Sequence, residues 1–287
     1  MSNLFTLIFL VLSVTQVYSQ DDWFSYITEK DKEFMAVTTN LRYDNAKPNY
    51  KNLLIVGKTT QKCHKNGYPT ELGLEELFTF SDTTAQVLNR TVKKNRLVGV
   101  LTYQCNGFDV FYIKDTVGVR SALEKVYGNY FNNEKYYIFL KQDKRWQYYK
   151  DILFPKRFTD DFFINQELLT ALFYDGYNLN DEYNLIHWFY FKKEKYRKKF
   201  LEKLKVINVT VHSLKTIEGK NHPYELQLVR KDQLQPAFID ELTRTFGIFA
   251  ESYGGFYDGW GIKQKTIATA ILNFYALSIT KIHHFIF

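Results

Sequence analysis

The chain has only two cysteines, Cys63 and Cys105, among 287 residues, so at most one intrachain disulfide can form. It also lacks any clustered set of catalytic or metal-binding side chains. His187 lies inside a strand pattern between Ile186 and Trp188, with no second His, Cys or carboxylate at ligand spacing. That favours a satisfied structural histidine over a base or a ligand. No catalytic residue, cofactor site or metal site is indicated, and the expectation is a protein without enzymatic activity. No apolar run is long enough for a stable membrane span. The stretch Thr266 to Thr280 is uncharged, but at about fifteen residues it is short for one. No residue-level repeat is visible between the two halves.

What is present is ample core material, 45% hydrophobic residues, in a length that suits two ordinary domains. The aromatic share of 18% reads as compositional drift. Net charge is +7, with a sequence pI of about 9.0, which favours acidic surfaces without choosing among nucleic acid, anionic lipid and polyanionic glycan.

Residues 1–20 read as an export signal, with an apolar core at Leu4 to Leu12 and small residues at Val17-Tyr18-Ser19 before a cut near Gln20. No Lys or Arg precedes that core, and no cysteine follows it to carry a lipid anchor. The expected address is therefore periplasmic or extracellular. Export changes the meaning of Cys63 and Cys105, since a lone pair can bond in an oxidising compartment and stays reduced in cytosol.

Along the mature chain, Asp22 to Ile27 and Phe34 to Thr39 form a hairpin around a charged turn, and a loop around Pro48 follows. Asn52 to Gly57 is a buried strand and Leu72 to Lys94 a helix. Arg96 to Gln104 and Phe108 to Ile113 pair across a turn at Asn106-Gly107. Thr116 to Tyr127 is a second helix and Tyr136 to Leu140 a last strand. From Leu53 the order is strand, helix, strand, strand, helix, strand, which closes as a split β-α-β sandwich of ferredoxin-like kind. Cys63 and Cys105 follow parallel strands and share a side of this domain, although an intervening strand can exceed the reach of the bond.

The second half repeats this order after a linker at Asp151 to Asp160. It runs from a leading helix at Phe162 to Tyr174, through a strand at Tyr183 to Phe191 and a helix at Lys192 to Lys205. A hairpin of Ile207 to Ser213 and Tyr224 to Arg230 and a helix at Gln235 to Tyr253 complete it. Four glycines and three aromatics in Gly254 to Gly261 close the domain. The fold class is α+β, two ferredoxin-like sandwich domains in tandem. They occupy residues 21–157 and 158–262, followed by a tail at 263–287 that is open between an extra packing helix, a weak membrane contact and a translated frameshift.

Asp175-Gly176, Glu182, His187 to Phe191, Tyr224-Glu225-Leu226 and Gly255 to Trp260 resemble the RraB family, the B-type regulators that inhibit ribonuclease E. The resemblance covers about residues 160 to 262, and Tyr257-Asp258-Gly259-Trp260 is its most specific part. Asp22-Trp23, Leu53 to Val56, Thr102 to Tyr112 and Trp146 to Pro155 resemble the domain-of-unknown-function family numbered six-nine-five, over about residues 22 to 156. The first resemblance implies action in the cytoplasm by binding an RNA-degrading enzyme, with no chemistry of its own. An exported, basic chain departs from that setting, so the fold and the habit of binding proteins carry over and the target does not.

Among these signature residues, His187, Tyr257, Asp258, Gly259 and Trp260 read as structural, with Asp258-Gly259 a turn and Trp260 the ring that seals the core. Cys63-His64 is a poor nucleophile pair, because neighbours on extended backbone point apart. His283 and His284 are adjacent in the tail without further ligands. The run from Lys192 to Lys205 holds eight Lys or Arg against two Glu. It offers Lys192, Lys193, Lys195, Arg197, Lys198 and Lys199 as polyanion contacts on a helix whose inward stripe is Tyr196, Phe200, Leu201 and Leu204. The expected partner is a protein of unknown identity. A membrane surface is a further option, nucleic acid is not expected of an exported chain, and the oligomeric state stays open.

Overall fold

The chain opens with a hairpin, β1 (Trp23–Lys30) and β2 (Glu33–Asn40), whose two turn residues, Asp31 and Lys32, hold φ values of 52° and 67°. Left-handed geometry at both positions is that of a type I′ turn, one of the two favoured two-residue hairpin turns. These and the following elements come from a computed structural model that describes residues 22–43, 49–92, 94–204 and 209–263. The leader read at 1–20, the loop around Pro48 and the tail beyond Lys263 lie outside the described residues.

After the hairpin come β3 (Asn52–Thr59), α1 (Glu71–Thr91), β4 (Asn95–Tyr103), β5 (Asn106–Ile113), α2 (Val119–Tyr130) and β6 (Tyr136–Gln142). They build one antiparallel sheet in the order β1-β2-β4-β5-β3-β6. The expected sheet began at Leu53. The first hairpin extends it to six strands, because β2 pairs with β4 from Met35↔Tyr103 to Thr39↔Gly99. Leu54, Val56, Phe111 and Ile113 face α1 and α2 and pack with Leu88, Leu123 and Tyr127. Leu53, Val110 and Tyr112 face the other way and are covered by Trp146 and the π-helical turn Tyr149–Leu153. Trp146 stacks on Tyr112 at 4.1 Å, and its Nε1 donates to the Tyr50 carbonyl at 2.7 Å.

The turn between β4 and β5 differs from the expectation at Asn106-Gly107. Gln104 and Cys105 take the positive φ values, 46° and 61°, while Asn106 already pairs with Tyr103 and Thr59. Asn106 ties the turn from its flank, its Nδ2 donating to the Tyr103 and Gln104 carbonyls at 3.1 and 2.7 Å. Because β5 neighbours β3 directly, this turn lies beside the end of β3 with no strand between. The Thr60 N–H donates to the Cys105 carbonyl at 2.9 Å. Cys63 and Cys105 are joined as a disulfide, with Cα atoms 5.9 Å apart, inside the reach of the bond.

The second half consists of α3 (Asp160–Tyr174), β7 (Glu182–Phe191), α4 (Glu194–Leu204), β8 (Thr210–Thr216), β9 (Tyr224–Gln233), α5 (Pro236–Ser252) and β10 (Gly255–Ile262). Its antiparallel sheet has the order β10-β7-β9-β8, with α4 and α5 covering Phe189, Phe191, Leu226 and Leu228. The helix expected from Lys192 begins two residues later, and the strand expected from Ile207 is β8 from Thr210.

The halves share a core. Helix α3 is apolar on more than one side because it packs on both sheets: Phe162 joins Tyr26 and Met35, while Leu169 and Phe173 join Ile27, Phe34 and Ala36 of the first hairpin. The same cluster holds Leu185, Ile239 and Trp260 of the second half. On α3, Gln166 Oε1 accepts the Ile27 N–H of edge strand β1 at 2.8 Å, which occupies a donor that an open edge would leave free. Asn66, in the loop that carries Cys63, donates to the carbonyls of Phe173 and Tyr177 at 2.6 and 3.0 Å. The disulfide therefore braces the loop that holds the far end of α3. Cys63→Ser/Cys105→Ser is expected to cost about 2–4 kcal/mol of unfolding free energy in denaturant titrations, with reductant affecting only the wild type. Coincident curves for the two proteins would contradict this.

Candidate functional site

The alternation of β7 gives the second sheet two unlike faces. Leu185, His187, Phe189 and Phe191 are buried towards the helices, whereas Ile186, Trp188 and Tyr190 point to the opposite side. Register carries the outward set through Val229, Gln227 and Glu225 of β9 and Phe256 of β10. The core clusters that hold α3, α4 and α5 contain no residue of this outward set. Tyr190 and Phe256 stack at 5.3 Å, and His222 meets Phe256 edge-on at 5.0 Å. Trp188 lies over Gly261, where a Cβ would meet the ring at 3.4 Å. The Tyr190 hydroxyl donates to Glu225 Oε2 at 3.3 Å and Gln227 Nε2 donates to Oε1 at 2.8 Å, so the carboxylate is held among the rings. Burial first, then the Glu225 and Asp258 charges, push the Tyr190 hydroxyl pKa up.

The glycine-aromatic stretch forms β10, and Asp258-Gly259 is a β-bulge inside it, not the turn expected of Asp-Gly. The register steps from Tyr257↔Phe189 to Gly259↔Trp188, leaving Asp258 without a partner, and Gly259 holds a φ of 121°. Residues three apart on a regular strand point to opposite faces. The extra residue resets that phase, so Tyr257 and Trp260 both turn towards the core. The Trp260 Nε1 donates to Asn165 Oδ1 at 2.9 Å, while Asn165 Nδ2 donates to Asp240 Oδ1 at 2.9 Å and Thr243 Oγ1 at 2.8 Å. Asp258 itself is exposed.

His187 is fully buried between Phe246, edge-on at 4.9 Å, and Tyr257, whose hydroxyl lies 2.9 Å from Nδ1. Among the described residues its Nε2 has no hydrogen-bond partner, so only one of its two ring nitrogens is satisfied there. Burial first, then the nearby Arg230 charge, lowers its pKa to about 3. The ring is neutral at physiological pH and packs as an aromatic.

Arg197 requires a correction. It was expected as a polyanion contact, but it is 8% exposed and its Nη1 donates to the carbonyls of Lys215 and Glu225 at 2.8 and 2.9 Å. Its guanidinium also lies over the Tyr224 ring, so it joins α4 to the sheet. Lys192, Lys193, Lys195, Lys198 and Lys199 are exposed, and Lys198 pairs with Glu194 at 3.0 Å. The buried stripe of α4 is Arg197, Phe200 and Leu204, with Tyr196 and Leu201 half-buried.

Cys63 is bonded and has no thiolate to offer as a nucleophile. His64 lies against Gly176, where a Cβ would meet its ring at 2.8 Å. The depression beside the disulfide, lined by Glu33, His64, Asn66 and Gln104 among others, is shallow and open and does not include Asp258. Among the described residues no three His, Cys, Asp or Glu side chains converge to hold a metal. His283 and His284 lie outside the described residues. The outward strip of Trp188, Tyr190 and Phe256 escaped the sequence reading. The alternation at 185–191 separates the two sides without saying which one the helices cover.

Below the ordinary imidazole pKa the unfolded chain binds a proton that native His187 refuses, so its contribution to stability is complete above about pH 6.5 and shrinks as pH falls towards 3. His187→Leu should accordingly lose about 3 kcal/mol less stability than wild type between pH 7 and pH 4. Parallel losses in denaturant titrations of the two would contradict the buried neutral ring.

No curated protein matches the chain. Among solved structures it is similar to an unknown protein from Galdieria sulphuraria, at 9% identity over 75% of this chain and 99% of that one, with a TM-score of 0.21. It is similar also to a candidate glycine cleavage system transcriptional repressor, at 8% identity over 75% and 98%, with a TM-score of 0.22. Likeness at that level transfers neither fold nor function. The family models are more specific: residues 21–154 match a family of unknown function, DUF695, and residues 164–262 match RraB, regulator of ribonuclease activity B. The two matches follow one another along the chain in the places where its motifs put the resemblances.

Proposed function

We propose that the protein is an exported, non-enzymatic regulator that binds a protein partner through the outward face of its second sheet. The observation that carries this reading is the strip of Trp188, Tyr190 and Phe256. The solvent side of an antiparallel sheet is ordinarily polar, and exposed aromatic groups mark contact surfaces. Phe256 is 37% exposed and Trp188 and Tyr190 are half-buried, with the buried Glu225 and the exposed Asp258 beside the rings. Aromatic anchors with a polar surround are the usual centre of a protein interface. The regulatory name of the matched family supports the same role. The apolar leader at 1–20 supports export, and the Cys63–Cys105 bond fits an oxidising compartment. Both modules read as ferredoxin-like domains, 21–157 and 158–262. The strand orders β6-β3-β5-β4 and β10-β7-β9-β8 support that, each placing the fourth strand beside the first and the third between the first and second.

A second reading, polyanion or membrane-surface binding through α4 and the residues just before it, draws on the exposed Lys192, Lys193, Lys195, Lys198 and Lys199. A cytoplasmic role in RNA degradation would follow if residues 1–20 were not a leader.

A photocrosslinking residue at Phe256, compared with one at exposed Ile248 on α5, tests the preferred reading in cell fractions. Position 256 should give a discrete adduct in the envelope or medium, reduced more than tenfold by Trp188→Ala, with nothing comparable from position 248. Matching adduct patterns from the two positions would count against it.

A further inference from the structure

The six-stranded sheet carries a second surface that the partner reading does not use. Strand β6 reads Tyr136-Tyr137-Ile138-Phe139-Leu140-Lys141. Tyr136, Ile138 and Leu140 pack on the core beneath α1 and α2. Pairing with β3 turns Tyr137, Phe139 and Lys141 to the opposite face, and neither Tyr137 nor Phe139 belongs to a core cluster there. An edge strand with one side in water ordinarily alternates apolar with polar residues. This one is aromatic on both sides, and Phe139 is 48% exposed.

Register places Leu101, Phe108, Gly57 and Tyr137 in one row across β4, β5, β3 and β6. A Cβ at Gly57 would overlap the Phe108 ring, so the glycine lets that ring lie across β3, with its centroid 5.5 Å from that of Tyr137. Ammonium groups border the rings: Lys135 Nζ is 5.2 Å from the Tyr137 centroid, Lys141 Nζ is 5.6 Å from that of Phe139, and Lys30 Nζ is 5.2 Å from that of Tyr103. Glu134, next to Lys135, is engaged by buried Lys58. The charges of Asp31 and Glu33 act at the Tyr103 end.

We propose that this face binds single-stranded nucleic acid, with bases stacked on Phe108, Tyr137 and Phe139 and phosphates met by Lys135, Lys141 and Lys30. Phe139 is exposed and Tyr137 and Phe108 are half-buried beside it. Rings bordered by cations are what a strand with free bases requires, since every base has a face to stack and every linkage a charge. Helix α4 holds more lysine but only one half-buried ring, Tyr196, among its charges. A sulfated glycan would be satisfied by either set of lysines, and only the sheet face adds rings that reward stacking. This inference stands apart from the partner reading, because the two faces belong to different sheets. It departs from the expectation that an exported chain meets no nucleic acid: with the export proposed above, the strand it binds is extracellular.

The test is fluorescence anisotropy of the full chain with labelled oligouridylate and oligothymidylate over a salt series. Binding should saturate and weaken steeply with salt, as phosphate contacts do. Tyr137→Ala/Phe139→Ala should lose at least about tenfold in affinity per ring at unchanged melting temperature. Lys135→Glu/Lys141→Glu should weaken binding and flatten the salt slope, while Lys198→Glu/Lys199→Glu on α4 should bind as wild type. Should the alanine pair melt early, Tyr137→Leu/Phe139→Leu keeps apolar volume without a stacking face and must show the same loss. Three results would overturn the proposal: no saturable binding at low salt, ring variants that bind as tightly as wild type, or heparin or anionic vesicles bound as tightly as the oligonucleotides and indifferent to ring removal.

Discussion

Two neighbouring amides on α3 hold the molecule together. Gln166 accepts the Ile27 N–H of the first sheet's edge strand, and Asn165 accepts the indole N–H of Trp260 from the second sheet. Successive helical residues point about 100° apart, which lets one helix serve two sheets. Both side chains are buried, and leaving either donor without its acceptor would cost about 1–3 kcal/mol. Around them, Leu169 and Phe173 pack with apolar residues of both halves. The two modules therefore do not behave as beads on a linker. Each supplies part of the other's core.

That joint decides which surfaces remain for binding. The helix faces of both sheets are closed, the first by α1, α2 and the hairpin contact with α3, the second by α4 and α5. Among the described residues, one strip on each sheet is left outside these cores. The first, around Tyr137 and Phe139, is bordered by lysine; the second, around Trp188 and Tyr190, by carboxylate. Strips of opposite charge on one body suit two ligands of different chemistry held at a fixed separation.

Much of this architecture could be read from the chain, for reasons that particular residues make plain. The buried run at Leu53 to Val56 and the alternation at 185–191 are local patterns, and local patterns survive without knowledge of the fold. The turn at Gln104-Cys105 was legible only approximately. Asn106-Gly107 has the better turn dipeptide, but strand pairing and the bond from Cys105 to Cys63 set the left-handed residues two positions earlier. Arg197 looked like surface charge because its acceptors are backbone carbonyls 18 and 28 residues away, which no local pattern shows. The six-stranded sheet and the shared core depend on pairings such as Met35↔Tyr103 and Ile27 with Gln166, separated by long stretches of chain. The alternation of β7 puts His187 on the helix side, but the common orientation of Tyr257 and Trp260 rests on the bulge at Asp258, a register shift that composition does not encode.

Native-state hydrogen exchange resolved by residue tests the joint most directly. If α3 fuses the halves, the best-protected amides of β3 and β5 and those of β7 and β9 should open with one common free energy, and Gln166→Ala should lower both sets together. Two exchange classes, one per sheet, with only the first responding to Gln166→Ala, would show instead that the modules fold independently and merely touch.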